Sequence, residues 1–168
     1  MYEFKPPRTN SRAQKLVLLF FIGAAALLLV TVPLKEMPFL WIIQLFAIIL
    51  LIAAVFLVTR YITRSYIYSI DVIDGRTDLT VTEVSSGGKR QVAVCRIGLS
   101  GIESVREIEG KDEELSALRK ARKRIFDYRP DLLPEKSILL SAEECGEKFL
   151  ILLAYDGELL NILRKDLQ

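Results

Sequence analysis

The sequence contains no histidine and only two cysteines, Cys95 and Cys145. Without histidine, the chain has no His-based catalytic triad, no imidazole metal ligand and no imidazole acid–base catalyst. Two cysteines are too few for a disulfide scaffold, and their spacing is not that of a metal site. No nucleophile–base pair or metal-ligand set stands out elsewhere. We therefore predict that the protein is not an enzyme and has no cofactor, no metal and no small-molecule substrate.

Charge is absent from two long stretches, Leu16 to Val32 and Met37 to Thr59. A helix of roughly 20 apolar residues spans the ~30 Å hydrocarbon layer of a bilayer. The two runs predict a transmembrane helical hairpin over residues 16–59. Cleavage of the first run as a signal peptide is the alternative. The second run follows directly, and no small-residue cleavage site precedes Pro33, so we favour the hairpin.

The basic residues that flank the two runs predict the orientation of the hairpin. The connecting turn has Lys35 balanced by Glu36, whereas Arg60 and Arg64 follow the second run. The predicted N-terminal tail, residues 1–15, is the most basic flank, with Lys5, Arg8, Arg12 and Lys15. Basic flanks stay in the cytoplasm. We expect a multi-pass protein of the inner (cytoplasmic) membrane of a bacterium, with both termini in the cytoplasm.

Residues 60–168 are predicted to form one cytoplasmic domain. Apolar and polar residues alternate with the period of a β-strand in seven segments, and turn signals such as Asp74-Gly75 separate them. The segments are 66–72, 79–84, 92–97, 102–108, 125–128, 137–142 and 148–154. Residues 158–167 place leucines on one helical face, with Asp156 as a candidate N-cap. Seven antiparallel strands and a closing helix predict a partly open barrel.

This order of elements resembles a pleckstrin-homology-like (PH-like) domain. The segments 78–84 (DLTVTEV) and 96–105 (RIGLSGIESV) look like those of bacterial membrane proteins in which a two-helix anchor precedes a PH-like domain. Residues 128–133 and 155–160 (YDGELL) are also similar. The family is largely uncharacterised, so the resemblance implies architecture rather than activity. Related eukaryotic domains bind inositol phosphates through a basic turn between their first two strands, but residues 74–78 carry two acids and one arginine.

The charge of the predicted domain is balanced, with 18 Lys/Arg and 19 Asp/Glu after Thr59. Nucleic-acid binding needs a broad positive field, so we expect no nucleic-acid partner. One local cluster is strongly basic: Arg119, Lys120, Arg122, Lys123 and Arg124. It is our candidate site for anionic lipid or a protein partner, since each cation near a membrane surface contributes about 1 kcal/mol. Alternatively, the cluster pairs with the acidic residues of 109–114 on a solvated face.

Gln44 is the only strongly polar side chain inside the predicted spans. In lipid its amide would bond to a neighbouring helix, which makes it a candidate helix–helix contact in a complex or homo-oligomer. Alternatively, it lies close enough to the interface to reach headgroups or water. No ionisable residue lies mid-membrane, so nothing marks an ion or proton path.

Three other features have simpler explanations than a functional site. Residues 85–90 (SSGGKR) depart from the phosphate-binding loop pattern and predict a hairpin turn. Cys95 is in phase with Ile97 on a predicted strand, which favours a structural thiol. A set of acidic residues near the C-terminal strands could hold a hard cation or could line solvated turns: Glu143, Glu144, Glu147 and Asp156.

These observations favour a membrane-anchored binding or scaffold module, whose cytoplasmic domain meets a protein partner or the lipid surface. The alternative is an accessory or oligomeric subunit of a membrane complex for transport or envelope assembly, with contacts made through the hairpin.

Overall fold

The computed structural model describes residues 2–7, 11–33, 39–73, 75–85, 88, 90–109, 118, 124–132, 134–144 and 146–165. They belong to two compact units. One lies within residues 9–64 and is helical. The other combines residues within 1–8 with residues within 65–168 and contains the β-structure.

The helical unit contains α1 (Ser11–Thr31) and α2 (Leu40–Leu57), followed by a π-helical turn, Val58–Ile62. The π turn closes with a hydrogen bond of 3.0 Å from the Thr63 N–H to the Val58 carbonyl. Two segments, Arg12–Thr31 and Leu40–Ile62, are long and apolar enough to cross a membrane, by length and composition alone. The same composition occurs in a signal sequence or in the core helix of a soluble protein.

Small side chains form the contact between α1 and α2. Ala24, Ala47 and Ala54 are fully buried, and a Cβ on Gly23 would lie 3.5 Å from Leu50 Cδ1. Small residues let two helix backbones approach closely. Large apolar side chains remain exposed on both helices, including Leu18, Leu29, Phe46, Ile52 and Phe56. A seam of small residues and an outer surface of large apolar residues therefore characterise this helix pair.

The first sheet has the strand order β1-β2-β3-β4. Its strands are β1 (Tyr2–Phe4), β2 (Arg64–Ile73), β3 (Arg76–Ser85) and β4 (Gln91–Gly98). Gly75 has φ +77°, in the left-handed region that glycine adopts without a Cβ penalty, so it closes the turn between β2 and β3. In β4, Val94 is an extra residue, since Val81 pairs with Cys95 and Thr82 pairs with Ala93. This β-bulge lies on an edge strand, where bulges are common.

The second sheet has the order β5-β7-β8-β6 and follows a 3-10 turn, Leu99–Gly101. Its strands are β5 (Ile102–Glu109), β6 (Arg124–Asp127), β7 (Lys136–Glu144) and β8 (Glu147–Ala154). The predicted antiparallel order is wrong at one strand, because β6 pairs parallel to β8. Alternation identifies a strand but carries no information about its neighbour, and β6 is separated from β8 in sequence by β7. All other pairs with a defined register are antiparallel.

The two sheets enclose a core with α3 (Gly157–Lys165). Its centre includes Tyr68, Leu140 and Ile151, and α3 contributes Leu159, Leu160 and Leu163. The Tyr68 hydroxyl links the sheets, since it donates to the Tyr128 carbonyl at 2.9 Å and accepts the Ala154 N–H at 3.1 Å. A smaller cluster on the other face of the second sheet includes Ile108, Leu139, Leu150 and Leu152. The mostly β domain with a closing helix is therefore present, as two open sheets.

Residues 1–15 were expected to form a polar tail, but they include a strand and the first turns of α1. Tyr2, Glu3 and Phe4 form β1, paired with Ile70, Ser69 and Tyr68 of β2, and α1 begins at Ser11. The strand before α1 and the strand after α2 thus lie side by side in one sheet. The β domain is assembled from both ends of the helix pair, and not only from the part of the chain after residue 60.

Candidate functional site: a groove between two strand edges

Two strand edges flank an apolar concavity of the β domain. Among the described residues, β4 is hydrogen-bonded only to β3, and β6 only to β8, so each ends its sheet. Between them lies a cleft of about 480 Å³, which we name the β4–β6 groove. Its lining from β4 is Val94–Ile97. This volume is within the range of ligand-binding pockets, roughly 300–1,000 Å³.

Aromatic rings form the opposite wall of the β4–β6 groove. Phe126 lies with its ring centroid 5.7 Å from Phe149 and 6.4 Å from Tyr128, and Tyr128 lies 5.7 Å from Tyr66. Phe126 is 42% exposed, although aromatic side chains bury large apolar areas when a partner is available. The groove therefore offers contiguous aromatic surface to another molecule.

The first half of β4 is exposed on both faces. Gln91, Val92, Ala93 and Val94 are all solvent-exposed, whereas Ile97 at the other end of the strand is buried. The Val94 carbonyl accepts the Tyr128 hydroxyl at 3.4 Å, beyond the usual O–H···O range. This main-chain oxygen consequently faces the groove, and its bond to Tyr128 there is long.

Charge in the β4–β6 groove is mostly paired within the protein. Arg124 Nη1 donates to Glu147 Oε2 at 2.5 Å, and Arg96 Nε donates to Asp78 Oδ2 at 2.8 Å. Glu144 also lines the groove and lies directly across the β7–β8 ladder from Glu147. Like charges in opposed positions destabilise a sheet. Among the described residues, Glu144 has no hydrogen bond or ion pair, so one carboxylate of the groove is left without a cation.

A second, more polar cleft of about 700 Å³ adjoins the groove and shares Arg96, Ile97 and Glu144 with it. The remainder of its lining comes from Gly75 and the start of β3 (residues 76–78), the segment 98–101 and Glu143. Glu143 interacts with Lys148 Nζ at 3.4 Å. The two clefts together form one surface feature with Glu144 at the junction.

The basic cluster is represented in the described residues by Arg124 alone; Arg119, Lys120, Arg122 and Lys123 lie outside them. Of the acidic residues of 109–114, only Glu109 is among the described residues. Arg124 begins β6 and pairs with Glu147 of β8. Its predicted role in lipid or partner binding stays a prediction.

Gln44 is exposed on α2 and does not lie on the seam with α1. Among the described residues, no hydrogen bond joins the Gln44 side chain to α1. A contact with a second protein, or with headgroups and water, stays open to experiment.

Cys95 is half-buried in β4. Burial, with a smaller contribution from the Glu144 charge, raises the pKa of its thiol, while a hydrogen bond with Tyr128 lowers it. A thiol with a raised pKa is a poor nucleophile. The packing agrees with the structural role predicted from its phase with Ile97.

The 85–90 turn and Asp156, both noted in the sequence, form hydrogen bonds within the β domain. Gly88 N–H donates to the Ser85 carbonyl at 3.0 Å, which confirms a hairpin turn before β4. Asp156 accepts the Tyr2 hydroxyl and, at 2.8 Å, the Leu159 N–H, so it is the N-cap of α3 as predicted. Among the described residues, no group of three His, Cys, Asp or Glu side chains could hold a metal ion.

Sequence analysis missed the buried Arg129, which is 7% exposed. Its guanidinium donates to both carboxylate oxygens of Asp127, at 2.8 and 2.7 Å, and to Ser137 Oγ at 3.2 Å. A buried charge needs such partners. The one sequence signal for this ion pair is that Asp127 and Arg129 are two residues apart, which places them on the same face of an extended segment.

The aromatic wall was also not predicted from the sequence, because Phe126 and Phe149 come from strands whose pairing is not local.

Comparisons of the chain with protein-family models, with curated proteins and with solved structures give no match. The geometry of the groove and of the helix pair is therefore the basis for assigning a function.

Proposed function

We propose that the protein is a membrane-anchored binding module. In this proposal α1 and α2 cross the membrane as a hairpin, and the β domain presents the β4–β6 groove to a partner in the cytoplasm. The observation that carries the proposal is the combination of an apolar helix pair with a domain whose exposed aromatic surface lies between two strand edges. Neither edge pairs with a further strand among the described residues. Large exposed apolar patches mark interaction sites.

The burial of the helices supports membrane insertion. Only 17% of each candidate span is buried inside the protein, whereas the core helix of a soluble protein is mostly buried. Large apolar side chains such as Leu29 and Ile52 are 70% and 64% exposed. Lipid tails solvate such side chains, and a helix satisfies its own backbone hydrogen bonds there.

The pairing of β1 with β2 supports an even number of crossings. Both strands belong to one sheet, so the chain must enter and leave the helix pair on the same side of any membrane that the pair crosses. The basic flanks of the helices favour the cytoplasm as that side.

A PH-like domain is our proposal for the fold family of the β domain. The eight strands lie in two mostly antiparallel sheets with a closing helix, and seven strands remain to match the PH-like pattern when the parallel strand β6 is set aside. The strand set therefore differs from the one predicted from sequence: β1 takes the place of β6, and the helix pair follows the first strand.

Topology and binding can be tested separately. Alkaline phosphatase inserted in the turn between α1 and α2 should be active, and phosphatase fused after Gln168 should be inactive. The proposal fails if the C-terminal fusion is the active one, or if the chain purifies without detergent. For binding, a photo-crosslinking residue at Val94 should give defined adducts in cells, and the control position Val72, exposed on β2, should not.

A second candidate function is an accessory subunit that associates through the hairpin. The exposed position of Gln44, outside the α1–α2 seam, favours it. Interhelical hydrogen bonds in membranes contribute about 0.6–2 kcal/mol. Gln44→Leu should then lower energy transfer between labelled copies, or co-purification of a partner. Leu45→Gln added to the Gln44→Leu variant should not restore it. Unchanged association in Gln44→Leu would remove this candidate.

A further inference from the structure

We propose that the β4–β6 groove binds an extended peptide segment of a partner protein, which adds a strand along β4 and places a basic side chain against Glu144. This inference rests on the proposed function of the protein as a binding module and specifies the chemistry of its partner. The segment would present apolar side chains at alternate positions, as every strand that packs one face does.

The edge position of β4 in its sheet is the first observation that supports strand addition. An edge strand exposes a row of unpaired N–H and C=O groups, and a strand of another chain satisfies them with main-chain hydrogen bonds. The Val94 carbonyl faces the groove, where its contact with the Tyr128 hydroxyl is long, at 3.4 Å. An incoming N–H could replace this long contact with a hydrogen bond of normal length.

The exposed apolar side chains of β4 and β6 are the second observation that supports strand addition. Val92 and Val94 are 43% and 37% exposed on β4, and Phe126 is 42% exposed on the facing strand. Edge strands are protected by charges, prolines or β-bulges. Gln91 to Val94 contain no charge and no proline, so the bulge at Val94 is the one such device in this segment, and a bound strand would have to pair around it. Alternate apolar side chains of a bound strand would pack against Phe126 and Phe149.

Charge decides between a peptide and a lipid surface. The two cations of the groove, Arg96 and Arg124, are held by Asp78 and Glu147. Among the described lining residues, the remaining charged group is Glu144, which faces the like charge of Glu147 across the ladder. An anionic membrane surface would be repelled by this carboxylate, whereas a lysine or arginine of a peptide would neutralise it.

The test uses the full-length protein in nanodiscs of uncharged lipid and a library of random ten-residue peptides. We expect enriched peptides to alternate apolar residues and to contain one Lys or Arg. Glu144→Gln should lower the affinity for such a peptide about tenfold. Glu109→Gln, on the far edge strand β5, should leave the affinity unchanged. Glu144→Lys should bind the matching peptide with Lys changed to Glu more tightly than the original peptide.

Two readouts do not depend on any protein variant. Methylation of the peptide nitrogens at alternate positions should weaken binding at least about tenfold in one phase of alternation and little in the other. Hydrogen exchange should slow at Gln91–Val94 when the peptide is bound. Equal binding of both methylated peptides, or slowed exchange elsewhere, would overturn strand addition.

Failure of this inference differs from failure of the proposed function. If no peptide is enriched, or if vesicles of phosphatidylglycerol slow exchange at β4 and peptides do not, strand addition is overturned. Protein crosslinks from position 94 in cells would still support the binding module. Absence of crosslinks from position 94 would count against the binding module, whatever the peptides do.

Discussion

The Tyr2 hydroxyl donates a hydrogen bond to the Asp156 carboxylate, 154 residues further along the chain. The same carboxylate oxygen accepts the Leu159 N–H at 2.8 Å and so caps α3. One carboxylate thereby holds the strand that precedes α1 and the helix that ends the domain. The three residues of β1 would be a weak strand by themselves, and this contact explains how they are retained.

Replacement of Tyr2 by phenylalanine should destabilise the β domain. Hydrogen bonds to charged groups contribute about 1.5–3 kcal/mol, and partial exposure places the expected loss at about 1 kcal/mol. Thermal unfolding of the full chain in detergent, followed by the near-ultraviolet circular dichroism of its tyrosines, measures this loss. Asp156→Asn should cost more, since it also weakens the helix cap. An unchanged midpoint in Tyr2→Phe would contradict the role of this contact.

Alkaline pH should destabilise the domain through Tyr68. Burial raises the pKa of its phenol above the ordinary value, and a hydrogen bond from Ala154 opposes the shift. The unfolded chain loses this proton near pH 10 while the folded chain keeps it. The free energy of unfolding should therefore fall above about pH 10, by up to about 1.4 kcal/mol per pH unit from this group.

The phenol of Tyr2 and two surface lysines add to the same loss. Burial and the Asp156 carboxylate raise the Tyr2 pKa, and Glu107 and Glu103 raise the pKa values of Lys136 and Lys148. Tyr68→Phe should reduce the slope of stability against pH. Ile138→Val lowers stability without removing a proton and is the control. A slope that is equal in the two variants would contradict this prediction.

Replacement of Arg129 by lysine should destabilise the domain despite the conserved charge. Lysine cannot donate simultaneously to both oxygens of Asp127 and to Ser137 as the planar guanidinium does. We expect a loss of about 2 kcal/mol, and about 3 kcal/mol for Arg129→Ala, which leaves Asp127 without its buried partner. Chemical denaturation in detergent measures both. Arg106→Lys, on the edge strand β5, is the matched control and should change stability by less than about 0.5 kcal/mol.

The seam of the helix pair should distinguish small from large residues. A Cβ at position 23 would meet Leu50 Cδ1 at an ordinary contact distance of 3.5 Å, so Gly23→Ala should be tolerated. Ala24 is fully buried, so Ala24→Leu should force the helices apart. Disulfide crosslinking between cysteines introduced in α1 and α2 measures the separation. Equal crosslinking in both variants would contradict the packing described for the seam.

The strands after Thr63 and the leucine face of α3 were predictable because their side chains alternate or repeat locally. Three features were not. Tyr2 to Phe4 is too short for a pattern, and its partner β2 lies beyond both helices. Residues 125–128 have the pattern of a strand but not of a parallel one. The groove depends on which two strands end their sheets, and no local sequence property decides that.

The position of β1 has a consequence for the order of synthesis. The ribosome makes β1 before both helices, and makes its partner β2 only after them. If the helices cross the bilayer, a chain that inserted only one of them would leave β1 and β2 in different compartments. Its first sheet would lack a strand, and α3 would lose the Tyr2 contact at its cap. Folding of the complete β domain would therefore depend on correct insertion of both helices, because only then can β1 pair with β2.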